Sequence, residues 1–152
     1  MEDGRRARLD RVKLGSSSAR FKMLQKLGFR RLPGIFAVCR FPPDAAVPAW
    51  SGLGRFTSVT RTADELSVVC PLDHVPAEHK QDIRWCCFQL AGQFAFSQVG
   101  ILASFIDPLA ARGIPIFAVS TYDTDYVLIS EEFAEAAVEC LKEAGHEMIA
   151  EP

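Results

Sequence analysis

The sequence lacks the signatures of several common protein classes. Among its 152 residues, no apolar run approaches the ~20 residues that span a bilayer. The charged N-terminus has no apolar segment of the kind that makes a secretory signal. There is no Gly-x-Ser-x-Gly elbow and no phosphate-binding P-loop. These absences predict a cytoplasmic protein without a membrane span, and they argue against the common hydrolase and nucleotide-binding sites.

Histidine and cysteine are too scattered to predict a metal or catalytic centre. The five cysteines form no Cys-x-x-Cys pair, and the three histidines lie apart from them. Cys86 and Cys87 point to opposite faces if their segment is a strand. We therefore interpret the cysteines as reduced core residues of a cytosolic protein. We expect no cofactor, no metal and no enzymatic activity.

Charge is distributed unevenly along the chain. Residues 1–31 hold ten Lys or Arg and three acidic residues, whereas the remainder holds seven basic and sixteen acidic residues. We interpret residues 1–31 as a basic, flexible N-terminal extension. Nucleic-acid binding by this extension is an alternative, but no interleaved aromatic residues and no known binding module accompany the charge.

The C-terminal half has a clear pattern of strands and helices. Apolar residues at helical spacing follow a buried strand, and a polar hairpin then joins two further apolar strands. The order is βαββαβ, with strands at 85–90, 114–120, 126–129 and 146–150, and helices within 100–113 and 130–145. Right-handed crossovers then give an antiparallel sheet with both helices on one face.

The N-terminal half repeats this scheme imperfectly. Strands are expected at 33–41, 55–62 and 65–71, with a short helix at best around Pro48. We interpret this as a duplication whose first copy is trimmed. The predicted fold class is α+β, with ferredoxin-like βαββαβ domains in tandem, the first at 32–82 and the second at 83–152.

Two loops of the second domain carry more polar groups than their turns require. The segment AFSQVG, 95–100, leads into a helix whose N-terminus presents unpaired N–H groups to an anion. The hairpin TYDTD, 121–125, offers Asp125 to a cation. Thr121, Thr124 and Ser97 add hydroxyls. A site with a positive and a negative end suits a zwitterion, which means an amino acid.

The same residues also have an explanation that involves no ligand. Asp123 and Asp125 can stabilise the turn through the backbone, and Ser97 can cap the helix. Phe96 and Tyr122 can serve only as packing residues. Both interpretations are open at this point.

Two segments carry a family resemblance. FTSVTRTADELSVVCP, 56–71, and AFSQVGILASFIDPLAARGIPIFAVSTYDTDYVLI, 95–129, resemble the stand-alone tandem ACT-domain proteins of bacteria. They also resemble the ACT pairs of the CASTOR arginine sensors and, more distantly, the regulatory ACT domains of aspartate kinase. The resemblance covers roughly residues 33–149. It implies amino-acid binding without catalysis, at an interface between ACT units.

The resemblance also implies particular ligand contacts. In the arginine sensors the ligand is held by the loop before the first helix and by the hairpin. Asp125 stands where those sensors have an acid facing the guanidinium, whereas Gln98 stands where they have a second acid. A neutral or differently shaped amino acid is therefore open as the ligand. The predicted ligand-binding residues are Ala95, Phe96, Ser97, Gln98, Gly100, Ile101, Leu102, Thr121, Tyr122, Thr124 and Asp125.

Two functions are compatible with these features. The first is a homodimeric sensor, in which two chains restore the four ACT units of the arginine sensors, bind a free amino acid and signal to a protein partner. The second is a protein-interaction scaffold whose pocket is vestigial. Loss of ligand binding on changing Asp125, with the dimer intact, distinguishes the first from the second.

Overall fold

The computed structural model describes residues 25–150, whose eight strands form one sheet with two α-helices against it. The strands are β1 (Gly28–Arg31), β2 (Phe36–Phe41), β3 (Ser58–Arg61), β4 (Leu66–Pro71), β5 (Trp85–Leu90), β6 (Phe117–Ser120), β7 (Asp125–Ser130) and β8 (Glu147–Met148). The helices are α1 (Ile101–Ala111) and α2 (Ala134–Glu143). Short 3-10 turns lie at Ala49–Gly52, Leu72–His74, Ala77–His79 and Glu131–Phe133.

The second half of the chain follows the predicted element order. β5 pairs with β7 and β7 pairs with β6, both antiparallel. α1 and α2 cover one face of these strands because each helix has an apolar stripe at helical spacing. Phe105 of α1 and Leu141 of α2 are fully buried against Phe88 of β5. The α+β prediction, with both helices on one face, is confirmed.

The N-terminal boundary of the fold differs from the prediction. Gly28–Arg31 was assigned to the flexible extension, but it forms β1, which pairs antiparallel with β5 and parallel with β8. The anchor is Phe29, which is fully buried and contacts the rings of Phe88 and Phe105 edge-on. β1 thus lies between β5 and the last strand of the second unit. Residues 1–24 of the predicted extension lie outside the described residues.

The described residues of the first half contain no α-helix, and the interpretation of this half as a trimmed copy of the second stays a prediction. β2, β3 and β4 form an antiparallel meander, and 3-10 turns stand where the second half has α-helices. The strands of the two halves form one continuous sheet, in which Phe36 of β2 pairs with Trp85 of β5. The strict division at residue 82 stays a prediction, and β1, from the N-terminal segment, completes the sheet of the second half.

The two halves also pack through the sheet face that α1 and α2 leave open. Phe36, Phe56 and Val69 from the first half are buried there with Cys87 and Leu128 from the second. Strand alternation explains this arrangement, because neighbours of Cys87 and Leu128 along β5 and β7 face the helices instead. The open face predicted for the second unit is therefore partly covered within the chain.

All five cysteines are buried and free, which confirms their predicted role in the core. Burial raises the pKa of the Cys70 thiol to about 11, and it raises the pKa of Cys87 as well. Across residues 25–150, no cluster of three or more His, Cys, Asp or Glu could hold a metal ion. In the same part of the chain, no helix has the length and apolar character to cross a membrane.

Candidate functional site

A cleft of about 390 Å³ lies between the start of α1 and the β6–β7 hairpin. The structure brings ten of the eleven predicted ligand-binding residues to its walls; Ser97 is the exception. From the loop and helix these are Ala95, Phe96, Gln98, Gly100, Ile101 and Leu102, and from the hairpin Thr121, Tyr122, Thr124 and Asp125. Their role in binding remains a prediction, but their spatial grouping is observed.

The hairpin is closed by side chains rather than by glycine. The Thr121 hydroxyl donates to the carbonyl of Thr124 at 2.9 Å and accepts from the Thr124 N–H at 3.3 Å. The Thr121 N–H also donates to the Thr124 carbonyl at 2.9 Å. Among residues 25–150 only glycines have a positive φ, so this turn needs no left-handed residue. The two threonines therefore stabilise this four-residue turn by hydrogen bonds, the role that Asn-Gly has in a two-residue turn.

Two hydrogen bonds attach the hairpin to the rest of the unit. The Thr124 hydroxyl, which is buried, donates to the carbonyl of Leu90 at the end of β5, at 2.8 Å. The Phe94 N–H donates to the carbonyl of Asp123 at 2.9 Å. The hydroxyl protons of Thr121 and Thr124 are thus used by the fold. These residues shape the cleft, and their hydroxyls are not the free donors that the sequence suggested.

Gly100 sets the start of α1. Its φ of 81° is left-handed, and within residues 25–150 no atom beyond its local backbone and its two chain neighbours lies within 4 Å of the place where a Cβ would be. In the part of the chain that the structure describes, no side chain caps this helix, so Ser97 does not play the capping role considered from the sequence. The first-turn N–H groups of α1 have no intrahelical acceptor and carry the partial positive charge of the helix dipole.

Gln98 is oriented by the loop that carries it. The side-chain oxygen of Gln98 accepts from the Ala95 N–H at 2.8 Å. The backbone N–H of Gln98 donates to the Ala95 carbonyl at 2.9 Å. This bond uses one lone pair of the side-chain oxygen, and the amide NH₂ group carries two donors. As a neutral amide, Gln98 adds no charge to the cleft.

The cleft is negative on its hairpin side. Asp123 and Asp125 line it, and no Lys or Arg is among its described lining residues. One oxygen of Asp125 accepts from the Ser120 hydroxyl, which leaves the other available. Sequence reasoning omitted Ser120 and Asp123 from the site, along with Phe94 and Ala103. Ser120 could have been identified as a site residue because it lies opposite Asp125 across a four-residue turn.

The rim of the cleft is apolar and exposed. Phe96 and Tyr122 pack edge-to-face with ring centroids 4.9 Å apart, although each is 78% exposed. Val99, which precedes Gly100 in the loop before α1, is 88% exposed. Large apolar side chains grouped in this way mark a surface that is suited to contact with another molecule.

Comparison with known proteins gives the family. Residues 81–143 match the family model of the ACT domain, and residues 34–78 match a separate model described as an N-terminal domain. The crystal structure of protein Atu0741 from Agobacterium tumefaciens is 40% identical, with a TM-score of 0.77, over 84% of this chain and 95% of that one. The chain belongs to the ACT-domain proteins. The resemblance found in the sequence is confirmed, and ACT domains are ligand-binding regulatory modules.

Two other solved structures are more distant. One is VC0802 from Vibrio cholerae, a protein of unknown function described as a possible transport protein. It is 20% identical, with a TM-score of 0.64, over 80% of this chain and 92% of that chain. This likeness shows a shared fold. The ligand-free regulatory subunit of aspartate kinase from Thermus thermophilus is 15% identical with a TM-score of 0.49, over 72% of this chain and 91% of that chain.

Proposed function

We propose that this ACT-domain protein is a non-catalytic, cytoplasmic sensor that binds a free amino acid in the cleft between α1 and the β6–β7 hairpin. One observation carries the proposal. The N-terminus of α1, which no side chain caps, and the carboxylate of Asp125 line the same cleft. A volume of about 390 Å³ falls in the range of small-molecule sites.

The two ends of an amino acid match the two sides of this cleft. The α-carboxylate binds the free N–H groups at the start of α1, where the helix dipole favours an anion. The ammonium group binds the oxygen of Asp125 that Ser120 leaves free, in a charge-assisted hydrogen bond. Asp123 lines the same side and adds negative potential.

Gln98 favours a neutral amino acid over arginine. Its oxygen is held by the Ala95 N–H, so the side chain presents donors to the ligand. A guanidinium carries only donors, so it can use only the second lone pair of the Gln98 oxygen and finds no ionic partner there. A ligand side chain with an acceptor, or an apolar one, is compatible with it.

A second copy of the chain covers the cleft in this proposal. The exposed rim of the cleft is formed by Phe96 and Tyr122, and Val99 of the same loop is exposed as well. Burying these side chains against an ACT unit of the partner copy encloses the ligand. The interface thus becomes part of the sensor, and ligand binding strengthens it. The same exposed rim also suits the scaffold alternative, in which the dimer forms and recruits partners without any ligand.

Asp125→Asn separates the two functions. If the protein is a sensor, calorimetric titration with the amino acid that binds the wild type shows a large loss of affinity for this variant, since the ammonium loses its ionic partner. Sedimentation equilibrium still shows the dimer. Asp64→Asn, in the β3–β4 turn, is the matched control and binds like the wild type. An unchanged affinity in Asp125→Asn contradicts the proposed binding mode.

A further inference from the structure

A second pocket, of about 290 Å³, lies on the sheet face opposite α1 and α2, where the two halves of the chain meet. Its floor is formed by Arg30, Gln89 and Tyr126, and its walls include Arg55, Phe56 and Phe36. Asp125 and Tyr126 are consecutive in β7, so their side chains point to opposite faces. This pocket is therefore separate from the cleft at α1.

The floor is a polar row across three neighbouring strands. Arg30 of β1 pairs with Gln89 of β5, and Gln89 pairs with Tyr126 of β7. The Gln89 side-chain amide donates to the Tyr126 hydroxyl at 3.1 Å. The Tyr126 phenol is protonated at neutral pH, as an ordinary tyrosine is, and burial raises its pKa further, so it can donate in turn.

Arg30 is the unusual member of this row. Its Nε is buried and has no hydrogen-bond partner among residues 25–150. A buried donor of a charged group without an acceptor is costly, and structures usually satisfy such donors. The ion pairs found in the described chain involve Arg31, Arg40, Arg84 and Arg112, whereas Arg30 and Arg55 are in none of them.

The walls are aromatic and apolar. Phe56 is stacked on Tyr126 with ring centroids 4.1 Å apart, and it contacts Phe36 edge-on at 5.9 Å. No Asp or Glu is among the described residues that line the pocket. Two arginines without acids, the half-buried Arg30 and the exposed Arg55, beside an aromatic wall, form an environment that favours a negatively charged group.

We propose that this pocket binds a small organic anion, with a carboxylate or phosphate head group on Arg30 and Arg55 and a flat apolar body against the aromatic wall. The guanidinium fork matches both head groups in a bidentate geometry. The Tyr126 hydroxyl supplies a further donor. A zwitterion is a poorer ligand here, since the pocket has no acid for its ammonium.

Calorimetric titration of the full chain with benzoate, phenyl phosphate and benzamide tests the proposal. At least one of the two anions binds, and neutral benzamide binds at least about tenfold more weakly because it lacks the charge that the arginines recognise. The better of the two anions identifies the preferred head group. Arg30→Met and Arg55→Met each weaken that anion at least about tenfold.

Two variants serve as controls. Arg40→Met removes the same charge from an exposed surface pair and changes the affinity by less than about twofold. Arg112→Met, which removes the same charge from an exposed ion pair with Glu143 just after α1, also stays within about twofold. The proposal is wrong if neither anion binds, if benzamide binds as well, or if Arg40→Met causes an equal loss. If circular dichroism shows that Arg30→Met is unfolded, the exposed Arg55→Met decides.

Discussion

Phe56 lies nearly flat on Tyr126, with 17° between the ring planes and 4.1 Å between the centroids. Phe56 belongs to the first half of the chain and Tyr126 to β7 of the second half. This contact, together with the Phe36–Trp85 strand pairing, makes the two halves one packed unit with a shared sheet. We therefore expect the two halves to unfold together.

Phe56→Ala tests this coupling. Phe56 is only 7% exposed, so its removal leaves a cavity and lowers the free energy of unfolding by about 3–5 kcal/mol. Urea unfolding, followed by far-UV circular dichroism and by tryptophan fluorescence, shows one transition at a lower midpoint. Phe96→Ala, at the exposed rim, is the matched control and barely changes the midpoint. Separate transitions for the two probes in the wild type contradict the shared unit.

Thr124→Val tests the attachment of the hairpin. The hydroxyl donates to the Leu90 carbonyl in a buried position, and valine keeps the shape but leaves that carbonyl unpaired. We expect the free energy of unfolding to fall by about 1–3 kcal/mol. Thr60→Val, at an exposed position of β3, changes it little. If denaturant unfolding shows that both substitutions lower the free energy of unfolding equally, the Thr124 hydrogen bond does not stabilise the hairpin.

Because of His146, we expect the folded protein to lose stability in mild acid. It is buried, accepts from the Leu27 N–H at Nδ1 at 3.2 Å, and donates from Nε2 to the Ser104 carbonyl at 3.0 Å. Burial lowers its pKa in the folded protein, although the bond to Ser104 opposes the shift. The unfolded chain therefore takes up a proton near pH ~6.5 before the folded one does.

The stabilising contribution of neutral His146 is complete above that pH and declines as the pH falls below it. Chemical unfolding from pH 8 to 5 should show this decline, and His146→Gln should show less of it. Glutamine can keep an acceptor and a donor at this position, so folding of the variant is expected. An identical pH dependence in the two proteins contradicts the assignment.

Gln98→Glu tests the basis of ligand preference. A glutamate can still accept from the Ala95 N–H, and it adds the negative charge that the resemblance places at this position in arginine sensors. We expect the affinity for arginine to rise by at least about tenfold, which is the scale of one charge-assisted hydrogen bond. Gln81→Glu, outside the cleft, is the charge-matched control. An unchanged arginine affinity, measured by calorimetry, shows that Gln98 does not face the ligand side chain.

The sequence was most informative where the pattern is local. Ile101, Phe105 and Leu109 repeat every four residues, and this spacing alone predicts α1 and its buried face. The sequence also predicted that the polar hairpin and the loop before α1 form one site, because the βαββαβ order brings them together. The grouping around the cleft follows from that order.

Long-range pairing was harder to predict. Phe29 is a single apolar residue beside Arg30 and Arg31, so the basic charge concealed the strand that it anchors. The row from Arg30 to Gln89 depends on the pairing of strands that lie far apart in the sequence. The sequence also does not reveal that the Thr124 hydroxyl donates to the Leu90 carbonyl. A threonine with a hydrogen-bond partner and one without a partner cannot be distinguished from sequence.

The most direct measurement of the central claim is thermal unfolding of the protein with each of the twenty amino acids at millimolar concentration. A ligand at about 100 times its Kd adds roughly 2.7 kcal/mol, which raises the Tm by several degrees for a domain of this size. The account predicts that one or a few amino acids raise the Tm of the wild type and of Asp64→Asn, but not that of Asp125→Asn. A Tm that no amino acid raises, or a rise that persists in full in Asp125→Asn, contradicts it.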